Sequence, residues 1–225
     1  MMRRRGLATL VMLGAATLTG CAATATIDPD REIVRRLPEM GEIRGVHYFA
    51  PAGMRVLASS STVPSSRDEF LPVEAPVKPV KDRFLARVHE TLGLRHLQII
   101  DAPRGARVYP LMAPPIELLK ETWSRGLVFD FYTGLWELAP VYRPLPLGPR
   151  HYRFVLMVRG RLIRLDDSTI LWQQLCLLRG FKPEERTLDE WRANDFAALR
   201  AEMQREIELC ADDLIAGFLG NRRER

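Results

Sequence analysis

The residues able to do chemistry are few and scattered along the 225-residue chain. His47, His89, His96 and His151 contain no pair at His-x-x-x-His spacing, and Cys21, Cys176 and Cys210 form no Cys-x-x-Cys, so neither short-range way of holding a zinc ion is present. No metal and no cofactor is expected. Ser59-Ser60-Ser61 lacks the Gly-x-Ser-x-Gly turn that lifts a serine nucleophile above a sheet. Asp166-Asp167 would suit a cation, but it stands where two strands turn, and an aspartate there serves the turn itself. No catalytic residue is assigned, and the chain is expected not to be an enzyme.

Trp123, Phe129, Phe131, Tyr132, Trp136 and Tyr142 crowd together beside a loop carrying Pro140, Pro144, Pro146 and Pro149. Aromatics next to a semi-rigid proline-rich segment are a common recognition surface, although core strands use them too. Arg159 and Arg161, two apart on one strand face, could meet acidic groups of a partner or pair with nearby carboxylates. Phe131, Tyr132, Trp136, Tyr142, Arg159 and Arg161 are therefore the candidate partner surface.

The N-terminus carries a clearer signal. Arg3-Arg4-Arg5 precedes an uncharged stretch from Gly6 to Gly20, a basic region followed by an apolar one, too short for the about 20 residues of a membrane span. It ends in Leu18-Thr19-Gly20-Cys21, which resembles the lipobox of bacterial lipoproteins. The resemblance implies cleavage before Cys21 and acylation of that residue, which becomes a membrane anchor. Several acyl chains on one residue hold firmly, since each buried methylene contributes about 0.8 kcal/mol. Ala22 in place of an aspartate implies the periplasmic face of the outer membrane, with inner-membrane retention left open.

With Cys21 assigned to lipid, Cys176 and Cys210 are left as an even pair in an oxidising compartment. A bridge between them would close a loop worth about 3 to 4 kcal/mol. Cys176 falls on a strand face with Ile170, Trp172, Gln174 and Leu178, and Cys210 on the apolar stripe of the last helix, so a helix packed on that sheet could join them. Losing the three signal arginines lowers the net charge from +5 to about +2, which is no nucleic-acid footprint. With 47% apolar residues, the mature chain can bury a proper core.

These features divide the chain into a signal peptide (1–20), a lipidated N-terminus and tether (21–40), one domain (41–220) and a charged tail (221–225). Within the domain, strands are expected over Ile43–Phe49 and Met54–Ser59 around a Pro51-Ala52-Gly53 turn, then an exposed connection over Ser60–Pro76. Val77, Val80, Phe84, Val88 and Leu92 recur at helical spacing, with Gly93 as the cap. His96–Ile100 reads as a strand, Asp101–Gly105 as a turn and Ile116–Ser124 as a helix. Leu127–Tyr132 and Leu135–Leu138 read as two strands. Tyr152–Leu165 and Thr169–Leu178 form a hairpin with apolar residues on both faces, as in a central pair covered on each side. Thr187-Leu188-Asp189-Glu190 matches a capping box, and a continuous apolar stripe from Phe196 to Phe218 marks a final helix of about 30 residues. The fold class is α+β, a mixed or mainly antiparallel sheet with helices packed on it.

The hairpin Arg161-Leu162-Ile163-Arg164-Leu165-Asp166, with Leu171-Trp172 and Cys176 ahead of a helix bearing Cys210, is loosely similar to small periplasmic lipoproteins of proteobacteria, among them transport-auxiliary and envelope-assembly lipoproteins. The resemblance implies a non-catalytic binding or accessory role with a protein partner in the envelope. It supplies no active site. An exported hydrolase of envelope polymers is the alternative.

Overall fold

The computed structural model describes residues 26–48, 53–58, 66–101, 114–142, 149–178 and 184–220. The lipobox and signal, the Asp101–Gly105 turn beyond its first residue, most of the proline-rich loop and the charged tail lie outside the described residues. Four helices, α1 (Arg31–Arg36), α2 (Val77–Leu92), α3 (Ile116–Thr122) and α4 (Leu188–Leu219), accompany eight strands in one mixed sheet, an α+β fold. The strands are β1 (Ile43–His47), β2 (Met54–Val56), β3 (Glu69–Leu71), β4 (Leu97–Asp101), β5 (Leu127–Pro140), β6 (His151–Arg164), β7 (Thr169–Leu178) and β8 (Arg186–Thr187).

Two 14-residue strands, β5 and β6, form the antiparallel axis of this sheet. On the far side of β5, β1 and β2 lie end to end, both parallel to it: Ile43 to His47 align with Leu127 to Phe131, and Arg55 and Val56 with Glu137 and Leu138. β1 and β2 therefore pair with β5 and not with each other. They follow one neighbour, and each carries its own outer strand, β4 parallel to β1 and β3 antiparallel to β2. On the other side, β6 carries β7 and β8.

Three further expectations change. The two strands around Thr133-Gly134 are one strand, whose register slips between Thr133 and Leu135. Such a bulge breaks the alternation of faces without ending the pairing. Glu69–Leu71, placed in an exposed connection, is β3. Finally, residues ahead of 41 pack against the sheet and helices. Val34 and Leu37 enter the main core, and Ile27 exchanges two backbone hydrogen bonds with Gln173 at the outer edge of β7, of 2.8 and 2.9 Å.

The main core lies between one face of the sheet and helices α2 and α4. Residues of even number on β6 (Phe154, Leu156, Val158, Leu162) and of odd number on the first half of β5 point into it. Phe84 of α2 stacks on Trp172 at 5.3 Å and meets Phe129, Phe131 and Phe218 edge-on or tilted at 5.1 to 5.6 Å. Gly160 makes this packing possible, because a Cβ there would stand 2.8 Å from Trp172 and 3.0 Å from Phe131. Cys176 of β7 and Cys210 of α4 are bonded as a disulfide, their Cα atoms 5.5 Å apart, which ties the helix to the sheet as expected.

Helix α4 has the expected capping box and ends on Gly220 in the left-handed conformation, but it is not continuous. Ala193 to Phe196 leave helical geometry, with φ between 51° and 61° at Asn194, Asp195 and Phe196. Asn and Asp tolerate that region best, so the break falls where the sequence bears it. Ahead of it, Trp191 is buried and donates through Nε1 to the Tyr152 carbonyl at 3.1 Å.

Beyond the break, α4 buries two acids one turn apart. Glu202 pairs with Arg205, whereas Glu206 Oε2 has no hydrogen-bond partner among the described residues. Burial, and then the charge of Glu202, push the Glu206 carboxyl above its usual 4.5. A raised carboxyl contributes stability fully below the unfolded value, and that contribution is lost as pH rises through the folded one. Glu206→Gln is therefore expected to stabilise the protein at pH 7 by about 1 kcal/mol, at the low end for an unsatisfied buried group because Arg205 is near, and to change little at pH 4. Urea unfolding at both pH values checks this; an equal gain at both would refute the assignment.

Candidate functional site

The opposite face of the sheet is also covered. Val46, Tyr48, Leu119, Val128, Tyr132, Ile163 and Leu165 make a second apolar cluster there, α3 providing Leu119. Strand alternation places Asp130 and Tyr132 of β5 and Arg159 and Arg161 of β6 on this face, with Asp130 opposite Arg161 and Tyr132 opposite Arg159. Covering them leaves four polar side chains inside a low-dielectric layer. Asp130 is 0% exposed, Arg161 3% and Arg159 4%.

Arg161 meets Asp130 as a fork. Its Nε donates to Asp130 Oδ1 at 2.9 Å and its Nη2 to Oδ2, while Nη2 also donates to the Pro114 carbonyl at 2.9 Å. Such two-point pairs are the strongest ion-pair geometry. Burial acts to lower the Arg161 pKa, but the Asp130 charge and hydrogen bonds outweigh it and hold the guanidinium protonated well above its ordinary value. Tyr132 lies under both arginines, its ring centre 5.4 Å from the Arg161 guanidinium and 5.8 Å from that of Arg159. Tyr48, whose backbone N–H donates to the Phe131 carbonyl, completes the row with a buried hydroxyl that has no hydrogen-bond partner among the described residues. Burial, followed by the Asp130 charge, raises its pKa. Burial also raises Tyr132, with Arg159 and Arg161 pulling the other way.

Arg161 and the two phenols therefore keep their protons near neutral pH. The charges do not balance, because among the described residues Arg159 meets no carboxylate and its contact is with Tyr132. A cation over a ring contributes about 2 kcal/mol when desolvated, whereas taking a guanidinium out of water costs several.

Farther along the same face, Arg55 Nη2 reaches Glu137 Oε2 at 2.5 Å and Nη1 lies 3.8 Å from Asp68. On the helical face, Lys81 is buried at the start of α2 with its Nζ 3.3 Å from His47 Nδ1 and 3.1 Å from Asp82. Burial acts to raise Asp82, but hydrogen bonds from Lys78 and Lys81 lower it on balance. Among the described residues, no three His, Cys, Asp or Glu side chains converge as a metal site would require.

The candidate partner surface is thus corrected in five of its six members. Phe131 and Trp136 pack into the main core, while Tyr132, Arg159 and Arg161 sit under the second cluster. The segment is rich in aromatics because it forms the axis of the sheet. Tyr142 alone stands out, 84% exposed. Asp166-Asp167 serves the turn: Asp166 accepts from the Gly126 N–H, and Asp167 accepts from Arg164 and from the Thr169 N–H, which lowers its pKa. Sequence reasoning passed over Asp130 and Tyr48. Asp130 did leave a trace, as the one charge inside the apolar run Leu127-Val128-Phe129-Asp130-Phe131-Tyr132.

No family model and no curated protein matches this sequence. Among solved structures, the chain is similar to protein XCC0632 from Xanthomonas campestris at a TM-score of 0.44 and 9% identity, covering 80% of this chain and 85% of that one. It is similar to the PelC dodecamer protein of Paraburkholderia phytofirmans at 0.36 and 12%, covering 88% and 97%, and to lipoprotein GNA1162 of Neisseria meningitidis at 0.29 and 11%, covering 75% and 99%. Likeness at this level bears no argument about function.

Proposed function

We propose that this chain is an exported bacterial lipoprotein, cut before Cys21, held at a membrane by lipid on that residue, and working there by binding as an accessory or assembly factor of the cell envelope. The observation that carries the reading is the Cys176–Cys210 disulfide. Disulfides persist in oxidising compartments, which is where a signal ending in Leu18-Thr19-Gly20-Cys21 would deliver the chain, so two independent features agree. Among the described residues no helix is long and apolar enough to cross a membrane, and the proposed lipid would supply attachment. Outer-membrane residence follows from Ala22, and a protein partner is proposed with it.

Cys21→Ser is expected to move nearly all of the protein from the membrane pellet to the soluble periplasmic fraction, because the acyl chains provide the attachment. Wild-type protein should take up labelled palmitate and the variant none. Retention of the variant in alkali-washed membranes would overturn the anchor, and sedimentation with inner-membrane vesicles would overturn the outer-membrane assignment. Cross-linking in intact cells should return one stoichiometric partner; its absence from the cross-linked wild type would count against the accessory role.

A further inference from the structure

The edge of a sheet invites pairing with another chain, and folded proteins blunt their edges by covering them, keeping them short or charging them. Here β3 and β8 are only three and two residues long, and the outer side of β7 is paired in part by Ile27. β4 has none of these defences. Its five residues run in unbroken parallel register with β1, from Leu97 opposite Ile43 to Asp101 opposite His47, and among the described residues no strand pairs with its other side. The strand Leu97-Gln98-Ile99-Ile100-Asp101 contains no proline and no lysine, and Ile99 is 57% exposed. The Ile43 N–H donates to the His96 carbonyl, so the even-numbered residues of β4 bond to β1. The N–H and C=O groups of Leu97 and Ile99 therefore point out of the sheet. The tether lies against β7, on the opposite side of the β5 and β6 axis, and leaves this edge clear.

We infer that β4 is a docking edge for a second copy of this chain, the two β4 strands pairing antiparallel about a two-fold axis at Gln98. In that register Leu97 faces the partner's Ile99, and the two-fold repeats the contact with the roles exchanged. These are the residues whose backbone groups point outward, so each such pair exchanges two hydrogen bonds. Exposed Ile99 gains an apolar neighbour on its own face of the sheet. Arg95, exposed just ahead of the strand, comes opposite the partner's Asp101. The segment is basic at its start and acidic at its end, and antiparallel pairing of two copies brings those opposite charges together. Centring the pair on Ile99 instead would set Leu97 against the partner's Asp101 and leave Arg95 with no carboxylate opposite. Two short strands bury less than the about 1,200 Å² of a stable interface, so the dimer is weak and exchanging. This goes beyond the accessory role proposed above and needs no lipid.

The test is cross-linking and sedimentation equilibrium of the purified Cys21→Ser protein, whose other two cysteines are bonded to each other. Gln98 would sit on the two-fold at a non-hydrogen-bonded position, where opposed Cα atoms stand about 4.5 Å apart, within disulfide range. Gln98→Cys should therefore convert to a covalent dimer under mild oxidation, about tenfold or more faster than Glu90→Cys, an exposed position on α2. Sedimentation should show a monomer–dimer equilibrium that Ile99→Lys weakens about tenfold or more, since a lysine guards the edge. Arg95→Asp should weaken it several-fold and Arg95→Asp/Asp101→Arg should restore it, a rescue that a folding defect would not give and that decides the matter if Ile99→Lys does not fold. A monomer at every concentration up to about 1 mM, the weak end of the affinity scale, would overturn the inference. So would Gln98→Cys cross-linking no faster than Glu90→Cys, or an undiminished dimer in Ile99→Lys. Because this protein carries no lipid, failure of the proposed anchor would leave the result standing.

Discussion

Asp130→Asn is expected to destabilise the protein by about 3 to 5 kcal/mol, the range for breaking a buried ion pair by removing one member. The cause is the charge left behind rather than the bond lost. With the carboxylate gone, Arg161 remains 3% exposed, and it and Arg159 lie over the same Tyr132 ring with no carboxylate hydrogen-bonded to either among the described residues. The double variant Asp130→Leu/Arg161→Met should recover most of the loss, because replacing both partners with apolar groups of similar volume is often neutral or stabilising. Urea unfolding of the single and double variants measures both effects. A single-variant loss below about 1 kcal/mol would mean that water reaches the pair and that the second cluster does not seal this face.

Replacing the disulfide cysteines has an effect of similar size from a different source. Cys176→Ser/Cys210→Ser should cost about 4 kcal/mol, from the entropy that a bridge across 34 positions removes from the unfolded chain. It joins the edge strand β7 to the segment of α4 beyond the break at Ala193 to Phe196. The oxidised wild type and its reduced form should differ by the same amount, and the double variant should be insensitive to reductant. Equal midpoints for oxidised and reduced protein would show that α4 is held by its apolar stripe alone.

The elements legible in the sequence are those whose stability is local. Helix α2 announces itself through Val80, Phe84 and Val88 and the Gly93 cap, the hairpin of β6 and β7 through its alternation and Asp166-Asp167, and the start of α4 through Thr187 and Glu190. What was hidden depends on contacts distant in sequence. β3 is three residues whose pairing with β2 is tertiary, and β5 looks like two strands because the bulge at Thr133 and Leu135 shifts the alternation. The pairing of β1 and β2 along β5 leaves no local mark at all. The polar row was half legible. Alternation put Arg159 and Arg161 on one face, but a polar face reads as a wet one unless something covers it, and the second apolar cluster is assembled from four separated parts of the chain. Apolar residues on both faces of β6 were the available hint, and they did point to a strand covered on each side.

The backbone pairing of Ile27 with Gln173 bears on how this molecule would stand at a surface. Only six residue steps separate Cys21 from Ile27, a contour of about 20 Å at full extension. With lipid on Cys21, the outer edge of β7 would be moored within that distance of the bilayer, less than the width of a small domain. A leash so short gives the domain a top and a bottom. It would pivot about one edge instead of roaming the periplasm, and a partner anchored in the same membrane would meet a restricted set of orientations. Inserting a flexible stretch of about twenty residues between Ala22 and Ile27 would leave the fold intact and relax only that geometry.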